Sequence, residues 1–361
     1  MSEIEPGIYF GLPSEEYHAA DGLSSSGIRN LLISPLDFWI NSPALNPNYE
    51  DEDSEGRLIG RAFHHRLLEP ARFAGLYAAK PSIEDYPEAI DGGKDLAAEC
   101  ARLGLKKSGT IAELCERIHE KEPGIPLWPV IRANLLESFG DRELLKADVL
   151  DDIERAARLV FAHPDATKAL TGGYSEVSIF WRDEETGIPM KARLDYLKIK
   201  ATVDVKSFTN PYGKPLLAAV AGALAANRYD VQAVIYDDAV RAAKEMLRTL
   251  KSKALHVVTG APPPDDWIIS LAASPKHTFV FVFIEQGPVT NVKVKEFRQH
   301  EQYGGLGMSA NAYWTSGMTG YREGVRRYVE CMEKFGREKP WIDDSPMTAF
   351  RDEDFPMYLL G

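Results

Sequence analysis

An α/β domain built around a mixed sheet is the fold class that the sequence predicts. Three observations predict it. Strand patterns cluster at residues 175–207 and recur at 278–294. Helical patterns precede, separate and follow these clusters, giving the order helix, three strands, helix, two strands, helix. The 361 residues, 44% hydrophobic and 27% charged, are ordinary globular values and allow about two domains or one large domain with insertions.

The elements follow in order. Residues Leu23–Gly27 supply serines to cap a helix whose apolar spacing is Ile28, Leu31, Leu32, and Ser34–Pro35 ends it. The segment before it reads as turn-rich. Leu58, Ala62, Phe63 or His65, and Leu67 space a second helix, closed at Glu69–Pro70. Residues 82–130 read as a helical insertion, which parts residues 1–81 from 131–361 of the main domain. Within it, Asp95–Ile118 forms two short helices around a turn bounded by Gly104 and Gly109. A helix at about Ala147–Phe161 follows. Strand Ser175–Trp181 alternates Val177, Ile179 and Trp181 with Glu176, Ser178 and Phe180, and Asp183–Gly187 is a turn. Met190–Ile199 and Ala201–Ser207 are further strands, so residues 174–207 carry the expected catalytic strands. Leu216–Lys251 is helical with a break near Asn227. Thr278–Ile284 and Val289–Val294 flank a turn at Gln286–Pro288, and a final helix covers roughly Ala310–Phe335.

Composition excludes several classes. Three cysteines, Cys100, Cys115 and Cys331, form no CxxC pair and cannot supply a disulfide framework or a four-ligand iron–sulfur cluster. Cys115 with His119 lacks the four ligands of a zinc site. The acidic start Met1–Pro6 has no signal-peptide pattern, and the apolar run Leu216–Ala226 is too short to span a bilayer. A soluble cytoplasmic protein is expected. The net charge of −12 argues against a general nucleic-acid binder but permits a DNA enzyme with a local basic channel. The acidic stretch Tyr49–Glu55 reads as a solvated loop.

The informative stretch is Arg193–Lys206. Asp204 and Lys206, two apart on a strand, point to one face. Asp195 lies on the preceding strand, about 5 Å away, and Glu176 on the strand before that. Two carboxylates about 4 Å apart repel by roughly 4 kcal/mol at an effective dielectric near 20. One lysine does not neutralise three acids, so either one acid is protonated or a divalent cation fills the cluster. Hard oxygen donors suit Mg²⁺ or Mn²⁺, with Lys206 orienting or deprotonating a water. On spacing alone, a surface salt bridge between Asp204 and Lys206 stays open beside this reading. Likewise His64 is either an ordinary helix histidine or a nitrogen ligand. Tyr229, Gln232 and Tyr236 share a helix face, either as a core rim or as partners of Lys206 or a DNA phosphate.

These residues carry a resemblance. Gly7–Phe10 with Glu16–His18, Leu23–Gly27 to Ser34–Pro35, and Gly60–His64 to Leu68–Pro70 come first. Then come Glu176, Arg193–Asp195, Asp204–Lys206, and Gln232 to Tyr236. In this order the chain resembles the RecE or exonuclease VIII type of phage recombination exonuclease, in the PD-(D/E)xK nuclease superfamily. The resemblance implies a restriction-endonuclease-like core with a mixed central sheet flanked by helices. It implies His64, Asp195 and Asp204 as metal ligands, Lys206 as the catalytic lysine, Glu176 as an active-site acid, and Gln232 and Tyr236 as supporting catalytic residues. It implies a Mg²⁺-dependent (Mn²⁺ as alternative) 5′→3′ exonuclease on linear double-stranded DNA, leaving 3′ tails for a RecT-like single-strand annealing protein, in a homo-oligomeric ring. Leu194 stands where the family has Pro, and Val205 and Ser207 where it has Leu and Thr; the charged atoms are kept.

The insertion resembles a SAP module, a small DNA-binding helix pair; a solvated two-helix insertion is the equal alternative. In the first case Lys106, Lys107 and Arg117 contact phosphate and add salt-dependent affinity. Arg61 and Arg193 are further DNA-binding candidates, and Arg57, Arg61 and Arg66 are candidates to line a ring lumen. Two other functional readings stand beside the exonuclease: a non-catalytic DNA-end-binding recombination scaffold, and a related nuclease of different polarity or substrate.

Overall fold

The computed structural model describes residues 4–50, 54–287, 289–302, 308–347, 349 and 351. Asp51–Asp53 of the acidic stretch, Pro288 of the expected turn and Met1–Glu3 lie outside them. The chain forms two compact units. One comprises Met1–Glu52, His163–Glu285 and Asn291–Gly361; the other comprises Asp53–Ala162 and Gln286–Thr290.

In chain order the elements begin with β1 (Gly7–Phe10), α1 (Ser14–Ala19), α2 (Ser25–Ile33), α3 (Pro35–Ile40), α4 (Glu55–Leu68), α5 (Pro70–Leu76) and β2 (Tyr77–Ala79). Then come α6 (Gly93–Arg102), α7 (Ile111–Lys121), α8 (Trp128–Phe139), β3 (Glu143–Leu145), α9 (Ala147–Ala162) and α10 (Pro164–Ala169). The strands β4 (Tyr174–Arg182), β5 (Pro189–Leu197) and β6 (Ala201–Phe208) follow, then α11 (Leu216–Ala226), α12 (Tyr229–Leu250) and β7 (Leu255–Val257). Last are α13 (Asp265–Ala273), β8 (Thr278–Glu285), β9 (Val292–Phe297) and α14 (Ala312–Phe335).

The first unit holds a mixed sheet of order β7-β1-β4-β5-β6-β8-β9. β4, β5 and β6 are antiparallel neighbours, as short connections require. β6 and β8 run parallel, so the chain crosses between them through α11, α12 and α13. The apolar run of β8, Phe279 to Ile284, is almost wholly buried, the pattern of a strand covered on both faces. This is the mixed α/β architecture that the sequence predicts, with helices flanking the sheet.

Two local readings need correction. The N-terminal segment is not all turn: Gly7–Phe10 is buried throughout and forms β1, paired to β4 and β7. Four residues are too few to show a period. Pro35 and Pro70 follow the ends of α2 at Ile33 and of α4 at Leu68, as expected. Each sits in the first turn of the next helix, where its missing N–H costs nothing. Ser34 serves as N-cap, its Oγ accepting from Asp37 N at 2.9 Å. The strand expected from Val289 starts at Val292.

Helix α12 lies at the centre of the helical layer, burying Val231, Val234, Ile235 and Leu247. The expected break falls where Asn227 ends α11 and Arg228 takes a left-handed conformation (φ 51°). Helix α14 packs on α12 through glycines. A Cβ on Gly317 would lie 2.5 Å from Asp230 O, a backbone atom that cannot swing away. Gly317→Ala is therefore expected to destabilise the protein by about 1–3 kcal/mol through overpacking, despite the roughly 1 kcal/mol that alanine gains in a helix. Urea denaturation checks this, and a variant of unchanged or raised midpoint would refute the close approach.

The second unit contains the two predicted short helices as α6 and α7. They bury a small core of Leu96, Cys100, Leu114, Cys115, Ile118 and Leu127. Helix α7 opens on a capping box between Thr110 and Glu113. Gly104 and Gly109 both take positive φ (71° and 149°), which is why glycines bound this turn.

Candidate active site

The strand registers assemble the site. Pairing of β4 with β5 matches Ser175 to Tyr196 and Val177 to Leu194, which sets Glu176 opposite Asp195. Pairing of β5 with β6 matches Leu197 to Thr202 and Tyr196 to Val203; Asp195 and Asp204 are the next residues past these pairs, and both charges act on Lys206. Three acids thus stand in one row across three strands. Glu176 departs from strand geometry, with φ 52°, and a carboxylate oxygen of Glu176 lies within 4.8 Å of one of Asp195.

Beyond the Tyr196–Val203 pair, a side chain links β5 to β6. Asp195 Oδ2 accepts the backbone N–H of Val205 at 2.7 Å. Asp204 is 0% exposed. Gln232 Nε2 donates to its Oδ1 at 3.0 Å, and Lys206 Nζ lies 2.8 Å from its Oδ2. Asp204 and Lys206 are therefore a buried pair, not a surface salt bridge. The Tyr229 ring faces the same ammonium, its centroid 5.0 Å from Nζ. Gln232 also shares a hydrogen bond with Tyr236. One face of α12, carrying Tyr229, Gln232 and Tyr236, thus braces the acid–lysine pair of β6.

Electrostatics show what this row demands. Burial pushes the Asp195 carboxyl up, outweighing Lys206, the Val205 N–H and Arg193, which favour its charge. Burial opposes the Lys206 ammonium, but Asp204 and Asp195 outweigh it and the pKa is raised. Lys206 so held is a donor, not a proton acceptor. Burial, then Asp204 and Asp195, push the Tyr236 phenol well up, so it stays neutral. Arg193 adds a second cation: its Nε donates to Glu176 Oε2 at 2.5 Å. Its Nη1 is buried with no hydrogen-bond partner among the described residues. Three carboxylates and two cations thus meet here, with one of the acids, Asp195, pushed toward its neutral form by burial. Clustered carboxylate oxygens are a donor set that fits a hard divalent cation.

The other expected residues lie in the second unit. His64 is half-buried on α4. Arg61, on the same helix, donates to Glu143 Oε2 at 2.8 Å. Arg66 grips Glu154 through two hydrogen bonds of 2.7 and 2.9 Å, so its guanidinium is committed within the unit. Lys106 and Lys107 are exposed on the turn between α6 and α7. Arg117 is not a free phosphate contact as expected: its Nη1 donates to Lys106 O and Ser108 O at 2.9 and 3.0 Å, tying that turn to α7. Sequence reasoning missed two participants in the first unit. The Val205 N–H carries no side-chain signal, and the Tyr17 ring under Arg193, at 5.7 Å, is far away in sequence.

A model of the family described as PDDEXK-like domain of unknown function (DUF3799) matches residues 24–280. The chain belongs to this family. The match spans β4, β5 and β6 with the whole acid row, and it places the protein in the PD-(D/E)xK nuclease superfamily. No curated protein matches the sequence. A solved structure, a "Putative exonuclease" from Eubacterium rectale, aligns over 95% of this chain and 97% of its own, with 13% identity and a TM-score of 0.44. In this PD-(D/E)xK protein no helix among the described residues is long and apolar enough to cross a membrane.

Proposed function

We propose that the protein is a Mg²⁺-dependent exodeoxyribonuclease that degrades linear double-stranded DNA in the 5′→3′ direction and leaves 3′ single-stranded tails for recombination by strand annealing. One observation carries the reading: the row Glu176–Asp195–Asp204, with Lys206 two residues beyond the last acid on the same face. Acids gathered largely out of solvent are poor stabilising material but suit phosphodiester hydrolysis. In the row Asp195 and Asp204 present oxygens to the cation, with Glu176 as the third acid. His64 is the fourth ligand on the strength of the sequence resemblance.

The bound cation would acidify a water and offset charge that builds on the phosphate. Gln232, itself hydrogen-bonded to Tyr236, holds Asp204 Oδ1, so that the carboxylate is set before substrate arrives. Lys206 donates to the attacking water or to a phosphate oxygen. Arg193, anchored to Glu176 at Nε, places a second cation beside the row that would draw a phosphate. The reading extends to the RecE type of partner set: duplex DNA ends, a RecT-like annealing protein and a homo-oligomeric ring. In the insertion, Lys106 and Lys107 would add sequence-independent phosphate contacts in the manner of a SAP module.

Digestion of linear duplex DNA labelled at either the 5′ or the 3′ end tests the core of this reading. Mg²⁺-dependent early release of the 5′ label, with the 3′ label retained on single strands, is expected. Early release of the 3′ label would overturn the polarity. No digestion in Mg²⁺ or Mn²⁺ by folded protein would overturn the nuclease assignment.

A further inference from the structure

The chain leaves the acid row through a short loop whose shape is fixed and whose tip is aromatic. Strand β6 ends at Phe208, which is buried with its ring against Phe283 (centroids 6.4 Å apart). Two residues later the chain turns. Asn210, Pro211, Tyr212 and Gly213 form a β-turn, with Gly213 N–H donating to Asn210 O at 3.1 Å. Asn first, Pro second and Gly fourth are the residues this turn favours. The Asn210 side chain locks it further: its Nδ2 donates to Lys214 O and its Oδ1 accepts from Lys214 N, both at 2.9 Å. Gly213 takes φ 58°, which a glycine adopts without strain. At the tip, Tyr212 is 85% exposed.

A single exposed aromatic is ordinary on a protein surface. This one differs in being held out by a specified turn and in its place. Its Cα lies six residues from Lys206, so within about 20 Å of the lysine's Cα along the chain. Lys214, exposed on the same turn, adds a cation that suits a sugar–phosphate strand. A largely exposed ring, six residues along the chain from Lys206 of a site that takes a phosphodiester, matches an unpaired nucleobase. Such stacking tolerates any sequence, because every base has a π-face.

From this geometry we propose that Tyr212 is a stacking platform for an unpaired base at the end of the bound DNA, positioning the strand for the acid row. The proposal rests on the nuclease reading and names the part of its substrate that the loop recognises. It makes Tyr212 a positioning residue, not a catalytic one.

The test compares two fluorescein-labelled duplexes with short single-stranded ends of equal length, one of thymines and one of abasic residues. Binding is followed by anisotropy with Ca²⁺ replacing Mg²⁺. The full-length protein is expected to bind the thymine end at least about fivefold more tightly, the lower bound of one base–aromatic stack. Tyr212→Phe should keep that preference. Tyr212→Ala should bind both duplexes alike, at the abasic level, while hydrolysing bis(p-nitrophenyl) phosphate, which has no base, at the wild-type rate. Equal wild-type affinity for the two ends, failure to bind either, or a preference that survives Tyr212→Ala would each overturn the proposal. Equal loss of diester hydrolysis in Tyr212→Ala would also overturn it, by making the residue structural. A clear thymine preference in a protein that never cuts DNA in Mg²⁺ would sink the nuclease reading and leave the stacking site standing.

Discussion

Asp204→Asn is expected to lower DNA cleavage by about 10³-fold or more and, with it, to remove the thermal stabilisation that Mg²⁺ confers. The first effect follows from the chemistry. A cation contributes several kcal/mol to such a reaction, and each 1.4 kcal/mol is a factor of ten. The second follows from linkage. A ligand that binds only the folded state stabilises it by about 2.7 kcal/mol at a hundred times its Kd. Asn is the useful substitution because it keeps the shape. Its Oδ1 still accepts from Gln232, the neighbour at 3.0 Å in the native protein. Lys206 loses one carboxylate but keeps Asp195, whose charge also acts on it. The variant should therefore fold, as circular dichroism would show, and its melting temperature should be indifferent to Mg²⁺. A variant that cuts at the native rate, or melts higher in Mg²⁺ by the native increment, would remove Asp204 from the metal site.

How much of this was legible in the sequence divides along physical lines. The central strands were, because alternation in β4 and the continuous apolar run of β8 are side-chain periodicities that burial imposes. The acid row was partly legible. Spacing alone put Asp204 and Lys206 on one face, and a short connection put Asp195 beside them. The register that sets Glu176, Asp195 and Asp204 in line is a property of pairing, which one strand's sequence does not carry. The brace from α12 was visible as Tyr229, Gln232 and Tyr236 at helical spacing. Its target stayed open between Lys206, a DNA phosphate and the core rim, since contact between α12 and β6 depends on the crossover. Backbone participants left no trace, the Val205 N–H that holds Asp195 among them. Nor did β1, where four buried residues are too short for any period. Arg117 shows the converse error. A basic residue near a glycine-rich turn reads as a phosphate contact, yet two carbonyls of that same turn occupy it.

Lys206→Met is expected to separate two properties that Asp204→Asn removes together. Cleavage should fall by about 10²- to 10⁴-fold, the usual worth of a positioned proton donor or acceptor. Stabilisation by Mg²⁺ should persist or grow. The reason is competition for the same oxygens. In the native chain the ammonium lies 2.8 Å from Asp204 Oδ2, on a carboxylate that is wholly buried. A cation must share that oxygen with Lys206 or displace it, whereas a thioether offers no rival charge. Without added cation the same variant should be less stable than the native protein, by about 3–5 kcal/mol, because removing one partner of a buried pair strands the other. Mg²⁺ should then recover part of that loss. The signature is thus a low melting temperature in EDTA, a larger rise on adding Mg²⁺ than in the native protein, and little cleavage. A Lys206→Met protein that cuts normally would make the lysine a structural counter-ion. One that loses both cleavage and the Mg²⁺ response would mean that the ammonium helps to build the cation site, so that Lys206 and the cation are partners in one charge network and not rivals for one oxygen.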